Sequence, residues 1–263
     1  MLEKTEVTSD LIQIGKEAGR KVLEIYNSDA ENWDVSAKSD DSPLTKADKV
    51  ANDYICEELK RLYPSIPIIS EENKEIPYEE RKNYEYFWLV DPLDGTKEFI
   101  KRNGEFTINI ALIKHREAVS GLLYTPALGR MFYAEKNNGA FLWDEHGEKH
   151  NLSVDEFSKK AKNLRLVCSR SHMNEETHNF VDQYEDPQLV SMGSSLKFML
   201  VAEGKADIYP RIGPTMEWDT GAAQAIVEEA GGKVLNYENG EPLVYNKEEL
   251  NNPWFVVYGQ VKD

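Results

Sequence analysis

Two aspartates stand three residues apart in Asp91-Pro92-Leu93-Asp94-Gly95-Thr96, directly after the apolar run Phe87-Trp88-Leu89-Val90. A continuous apolar run of this length fits a strand buried on both faces, and it anchors the acidic turn to the core. Pro92 fixes the backbone, Gly95 permits a tight turn, and the Leu93 carbonyl lies between the two acids. Several hard oxygen donors in one small volume suit Mg²⁺. Like charges near a core repel one another, so such a cluster calls for a cation. A surface turn rich in Asp is the plainer alternative, and the apolar anchor argues against it.

Glu71 and Glu72 end a second apolar run, residues 66–69. Alone, a Glu-Glu pair reads as a solvated loop. Beside another carboxylate-bearing strand end, one of the two becomes a candidate metal ligand. Asp219 opens a Gly/Ala-rich helix, Thr220-Gly221-Ala222-Ala223. It reads as an N-cap, a role compatible with a bound phosphate at the same helix end. A competing chemistry is the aspartyl-phosphate route of haloacid-dehalogenase-type phosphatases, which begin Asp-x-Asp-Gly-Thr. Here two residues separate the acids, which puts the second carboxylate out of step with a nucleophile. Attack by metal-activated water is therefore favoured over covalent catalysis.

The elements that must hold these residues follow from periodicity. Leu11, Ile14, Ala18, Val22 and Ile25 form one face of a helix, with Ser9 or Asp10 expected to cap it. Residues 27–41 read as a loop or mobile hairpin. Thr45 and Asp48 have capping-box spacing, with Asp in place of Glu, before a helix burying Ala51, Ile55 and Leu59. Strands are expected at 66–69, 87–90, 106–113, 119–124, 130–134 and 140–143, with a hairpin signal at Asn137-Asn138-Gly139. A polar stretch, 151–162, reads as a boundary between an N-terminal half (1–150) and a C-terminal half (151–263). The second half alternates: strand 164–168, helix 195–203, strand 206–209, helix 219–230, then strands 233–235 and 254–258. Gly231-Gly232 stops the last helix.

With 263 residues, 40% of them hydrophobic, the chain can fold as one large domain or two halves and is not disordered. Its net charge of −16 argues against nucleic-acid binding, which needs a basic surface. An anionic substrate would also be repelled, so a phosphate-handling site needs local cations. Cys56 and Cys168 show neither metal-ligand spacing nor a disulfide pattern. No apolar run is long enough to span a bilayer and no signal peptide is visible, so a cytoplasmic location is expected.

Asp91–Thr96, Ser70-Glu71-Glu72 and Trp218-Asp219-Thr220-Gly221-Ala222-Ala223, in this order, resemble the inositol monophosphatase superfamily. The run VDPLDGTKEFIKRNGEFTIN (90–109), with KSDDSPLTKAD (38–48) and GSSLKF (193–198), is similar to its bisphosphate nucleotidase branch of sulfur assimilation. The resemblance covers nearly the whole chain and is strongest over 38–126. It implies an α/β fold, an αβαβα sandwich, and two or three Mg²⁺ ions. Glu71, Asp91 and the Leu93 carbonyl would hold one ion; Asp91, Asp94 and Asp219 a second. Thr96 would position the attacking water and Asp48 would help deprotonate it through Thr96, besides capping its helix. Gly95 and Thr96 would offer backbone N–H groups to the scissile phosphate. Ser194, Lys197 and Arg211, with His172, would contact the nucleotide, supplying the cations that the overall charge lacks.

The reaction so implied is hydrolysis of the 3'-phosphate of adenosine 3',5'-bisphosphate to AMP and phosphate, with sensitivity to Li⁺. Its nearest rivals are an inositol monophosphatase or sugar bisphosphatase of the same superfamily, which the metal motifs do not separate. A non-catalytic nucleotide or metal sensor is the rival of another class. The complete acid set with Thr96 argues against it. The sequence does not give the oligomeric state.

Overall fold

The computed structural model describes residues 4–38, 43–168 and 173–262. Helix α1 (Lys4–Tyr26) is followed by a short hairpin, β1 (Ser36–Ala37) with β2 (Pro43–Leu44), and by α2 (Lys46–Leu62). Seven strands then form one sheet in chain order: β3 (Ile68–Ser70), β4 (Tyr86–Asp94), β5 (Thr107–Lys114), β6 (Glu117–Thr125), β7 (Arg130–Glu135), β8 (Ala140–Trp143) and β9 (Lys149–Asn151). Only β3 and β4 pair in parallel; the rest are antiparallel. Two short helices interrupt this run, α3 (Tyr78–Arg81) and α4 (Thr96–Ile100).

After β10 (Glu156–Phe157) comes a second sheet, built from β11 (Arg165–Cys168), β12 (Gln188–Ser191), β13 (Ile208–Arg211), β14 (Lys233–Asn236) and β15 (Phe255–Tyr258). Its five strands run in the order β12-β11-β13-β15-β14. The last strand, β16 (Gln260–Val261), pairs with β10. Helices α5 (Glu175–Val181), α6 (Leu196–Ala202) and α7 (Gly221–Glu229) belong to this half.

Side-chain alternation along β4 shows how the layers stack. Trp88 and Val90 pack with Leu11, Ile14 and Ile55 of α1 and α2. Phe87 and Leu89 face the other way, against Ala222 and Ala225 of α7. The far side of α6 and α7 meets Val167, Tyr209 and Phe255 of the second sheet. The opposite face of that sheet, Leu166, Ile208 and Val256, is covered by Phe180 and Val181 of α5. The result is an αβαβα sandwich. Close approach of α7 to the first sheet explains the small residues at its start. A Cβ on Gly121 of β6 would sit 2.3 Å from the Ala222 carbonyl oxygen.

Several sequence expectations change. The N-cap of α7 is Thr220 and not Asp219, which ends the turn before it. Helix α1 begins at Lys4, so Ser9 and Asp10 lie inside it; Val7 extends its buried face by one turn. Asp10 instead accepts a 2.7 Å bond from the Tyr63 hydroxyl. Strand β4 does not stop at Val90 but runs on through Asp94. The α3 and α5 helices and strand β12 were not anticipated; two are short and β12 is largely exposed, so no strong apolar period marks them. Among the described residues no helix is long and apolar enough to cross a membrane.

Candidate active site

In a regular strand, residues three apart point to opposite faces. Asp91 and Asp94 escape that rule. Asp91 pairs with Asn109 and Asp94 with Thr107, two residues apart on β5, with a register shift between them. The irregularity in β4 re-phases the strand, so Asp94 reaches Ser194 and Ser195 ahead of α6. Gly95 follows at φ +90°, a left-handed conformation that glycine tolerates, and starts α4. A Cβ there would stand 3.1 Å from Ser194 Cβ and 3.2 Å from the Glu105 carbonyl oxygen.

Asp91 is fully buried, and its Oδ1 accepts from Leu93 N at 3.1 Å. Burial, followed by the charges of Glu71, Asp94 and Asp219, pushes its carboxyl well above the ordinary range. Burial and then Asp94 likewise raise Asp219, to about 8. Glu71, Asp94 and Asp219 line one cavity, and the charges of all three bear on the buried Asp91. Asp219 is held by its own turn, Met216 N donating to its Oδ2 at 2.9 Å.

Asp94 is the hub between the halves. Its Oδ2 accepts from Ser194 Oγ at 2.5 Å, Ser195 N at 2.6 Å and Ser195 Oγ at 2.6 Å. Ser195 Oγ also lies 2.9 Å from the Asp219 carbonyl oxygen. Glu71 is turned onto Lys38, whose Nζ is 2.6 Å from Glu71 Oε1 and 2.5 Å from Glu72 Oε1. Burial opposes the Lys38 charge, but the two glutamates outweigh it and raise its pKa. Held this way, the four acids do not close around a single point. Among the described residues, the only three such groups with ligand atoms all within 4.8 Å are Asp144, Glu148 and His150, a largely exposed set on the β8–β9 hairpin.

Asp48 divides its oxygens between two tasks. Oδ2 accepts from Thr45 N at 2.7 Å and Thr45 Oγ1 at 2.6 Å, completing the cap of α2. Oδ1 accepts from Thr96 Oγ1 at 3.1 Å. Burial is the main cause that raises the Asp48 pKa. Thr96 Oγ1 also lies 3.4 Å from the Leu93 carbonyl oxygen.

A cavity of about 760 Å³ extends from this acidic end between the two halves. Glu71, Asp94 and Asp219 line one end, and Lys197, Tyr209 and Arg211 also line it. Lys197 Nζ donates to the Ser194 carbonyl at 2.7 Å, and burial depresses its pKa to about 8. Arg211 Nη2 donates to the Pro214 carbonyl at 2.8 Å, while its buried Nε has no partner among the described residues.

The Inositol monophosphatase family model matches residues 3–256. The chain belongs to the inositol monophosphatase family. Members of the family are metal-dependent, generally on Mg²⁺. Among relatives, the chain is 44% identical to 3'(2'),5'-bisphosphate nucleotidase CysQ of Salmonella typhimurium, covering 93% of this chain and 96% of that protein. It is 42% identical, with the same coverage, to CysQ of Escherichia coli K12. The crystal structure of CysQ from Bacteroides thetaiotaomicron superposes with a TM-score of 0.87, 38% identity and full coverage of both chains.

For this inositol monophosphatase family member, the structure brings together Asp48, Glu71, Asp91, Leu93, Asp94, Gly95, Thr96, Ser194, Lys197, Arg211 and Asp219 around one cavity and its floor. His172 lies outside the described residues. Sequence reasoning missed Ser195, Lys38, Thr107 and Asn109. Thr107 and Asn109 had a visible signal: polar side chains at alternate positions of an otherwise apolar strand, both buried. Lys38 opens the KSDDSPLTKAD run, but no local spacing marks its pairing, because its partners lie 33 and 34 residues away.

Proposed function

We propose that the protein is a Mg²⁺-dependent 3'(2'),5'-bisphosphate nucleotidase that converts adenosine 3',5'-bisphosphate to AMP and phosphate. The observation that carries this reading is one cavity lined by Glu71, Asp94 and Asp219 and also by two cationic side chains, Lys197 and Arg211. The likeness to nucleotidases named CysQ over nearly the whole chain supports it.

The acid set fits a hard divalent ion. Its donors are all oxygens, and burial with mutual repulsion leaves Asp91 and Asp219 in need of positive charge. Glu71, Asp91 and the Leu93 carbonyl would hold one Mg²⁺, and Asp91, Asp94 and Asp219 a second. Bound Mg²⁺ would supply a lowered water pKa and charge neutralisation on the transferring phosphoryl group and leaving oxygen.

The remaining work falls to the chain. Thr96 Oγ1, already donating to Asp48 Oδ1, can accept a bond only from a partner such as the attacking water, which fixes that water's direction. The raised pKa of Asp48 makes it a better proton acceptor than a free carboxylate. A water proton thus passes to Thr96 Oγ1 as the Thr96 proton moves to Asp48. Gly95 and Thr96 offer backbone N–H groups to the scissile phosphate. Lys197 and Arg211, both lining the cavity, hold the 5'-phosphate through charge-assisted bonds.

Product identity tests this directly. After incubation with adenosine 3',5'-bisphosphate and Mg²⁺, chromatography should show 5'-AMP and inorganic phosphate. Accumulation of adenosine 3'-monophosphate, or no phosphate release, would contradict the reading.

A further inference from the structure

Glu217 has no exposed surface, and its carboxyl group is met entirely by donors from one neighbouring turn. Oε2 accepts from Asn246 N at 2.6 Å. Oε1 accepts from Lys247 N at 3.0 Å and Lys247 Nζ at 2.6 Å. A buried carboxylate is tolerated only when its charge and lone pairs are met in this way. The backbone beside it is tied to the same region: Glu217 N donates to the Leu250 carbonyl at 2.8 Å, and Asn252 Nδ2 to the Met216 carbonyl at 2.7 Å. The turn that carries Asp219 therefore leans along its length on residues 246–252.

Those residues are gripped from the other side by Arg81, which is 1% exposed. Its Nη1 donates to Asn246 Oδ1 at 2.8 Å and to the Lys247 carbonyl at 2.6 Å. Nη2 donates to the Glu248 carbonyl at 2.7 Å, and Nε turns back to the Ile76 carbonyl at 3.1 Å. Asn246 Nδ2 returns a 2.7 Å bond to the Arg81 carbonyl. Arg81 closes α3, at the end of the segment that leaves β3 with Glu71. The Glu71 segment and the Asp219 turn, far apart in sequence, thus meet through one turn, residues 246–252, that buries Asn246, Leu250 and Asn252.

We propose that Arg81, Asn246, Glu217 and Lys247 are positioning residues that set the spacing between Glu71 and Asp219 for metal binding. The inference rests on the reading of the acid cluster as a Mg²⁺ site. Glu217, Asn246 and Lys247 do not line the substrate cavity, nor does Arg81, so their removal acts on the metal and not on nucleotide contacts. Groups that orient metal ligands from behind typically change metal affinity about 10–100-fold when replaced.

The test measures Mg²⁺ binding by titration calorimetry without nucleotide, beside the Mg²⁺ concentration for half-maximal turnover. Glu217→Gln keeps the side-chain shape and removes its charge. Asn246→Gly suits the local φ of +61° and removes the two bonds between the Asn246 side chain and Arg81, leaving those to the Lys247 and Glu248 carbonyls. Both variants should weaken Mg²⁺ about tenfold or more in each assay, with the nucleotide KM at saturating Mg²⁺ unchanged. Wild-type Mg²⁺ affinity in a folded variant, judged by circular dichroism, would overturn the latch. If Glu217→Gln does not fold, Asn246→Gly decides alone. Failure of the unaltered protein to bind Mg²⁺ would instead overturn the metal reading, and the latch with it.

Discussion

Thr96 Oγ1 donates to Asp48 Oδ1 across 3.1 Å, joining the first turns of two separate helices. Because the cap of α2 uses the other oxygen, capping and proton transfer are separable by mutation. Thr96→Ala should lower kcat roughly 10²–10⁴-fold and leave the Mg²⁺ requirement nearly unchanged. Thr45→Ala should cost about 0.5–2 kcal/mol of stability, read from denaturant unfolding. A Thr96→Ala enzyme whose only defect is a raised Mg²⁺ requirement would mean that Thr96 serves the metal and not the water.

Asp94 meets three donors from Ser194 and Ser195 on a single oxygen. Asp94→Asn preserves shape and removes the ligand charge. The fold should persist by circular dichroism while turnover at moderate Mg²⁺ falls about a hundredfold or more, as for loss of a metal-site group. Near-normal rates would remove Asp94 from the ligand set.

Substrate choice should depend on Lys197 and Arg211. Metal ions held by the acid cluster would neutralise only the phosphate being cleaved, and the protein carries a net charge of −16. Losing one charge-assisted contact costs about 1.5–3 kcal/mol. Arg211→Ala and Lys197→Ala should therefore lose roughly ten- to a hundredfold in kcat/KM on adenosine 3',5'-bisphosphate. On adenosine 3'-monophosphate the loss should be far smaller. Equal losses on both substrates would show that neither residue reads the second phosphate.

The carboxylates also set a pH dependence. Asp91 and Asp219 titrate near pH 4 when unfolded, and both are raised in the fold, Asp219 to about 8. Between these values the folded state binds more protons than the unfolded state, so metal-free stability falls as pH rises. In EDTA, Tm should drop from about pH 4 towards about pH 8. Stabilisation by added Mg²⁺ should grow over the same window, since the ion competes with protons. Asp219→Asn should flatten the slope; a wild-type slope in that variant would assign the effect elsewhere.

The cluster of acids beside Thr96 was legible from local spacing, and the way distant segments assemble around it was not. Asp91, Asp94 and Thr96 lie within six residues after an apolar run, and the Thr45–Asp48 cap is a local pattern seen in the structure as expected. The irregularity that brings Asp94 to Ser194 and Ser195 depends on pairing with β5, which no local pattern encodes. Ser195 joins Asp94 across 101 residues, and Arg81 reaches Asn246 across 165. Contacts at such separations depend on how the sheets stack, which alternation in Phe87–Val90 implies only in outline.

The most direct measurement is phosphate release with Mg²⁺ from adenosine 3',5'-bisphosphate, inositol 1-phosphate and fructose 1,6-bisphosphate, compared as kcat/KM in one buffer. A site built to hold a second phosphate and a nucleoside should prefer the adenosine bisphosphate by about a hundredfold or more, since Lys197 and Arg211 have no second phosphate to bind in inositol 1-phosphate. Equal or greater turnover of the inositol or sugar phosphate would contradict the nucleotidase assignment while leaving the family and its metal site intact.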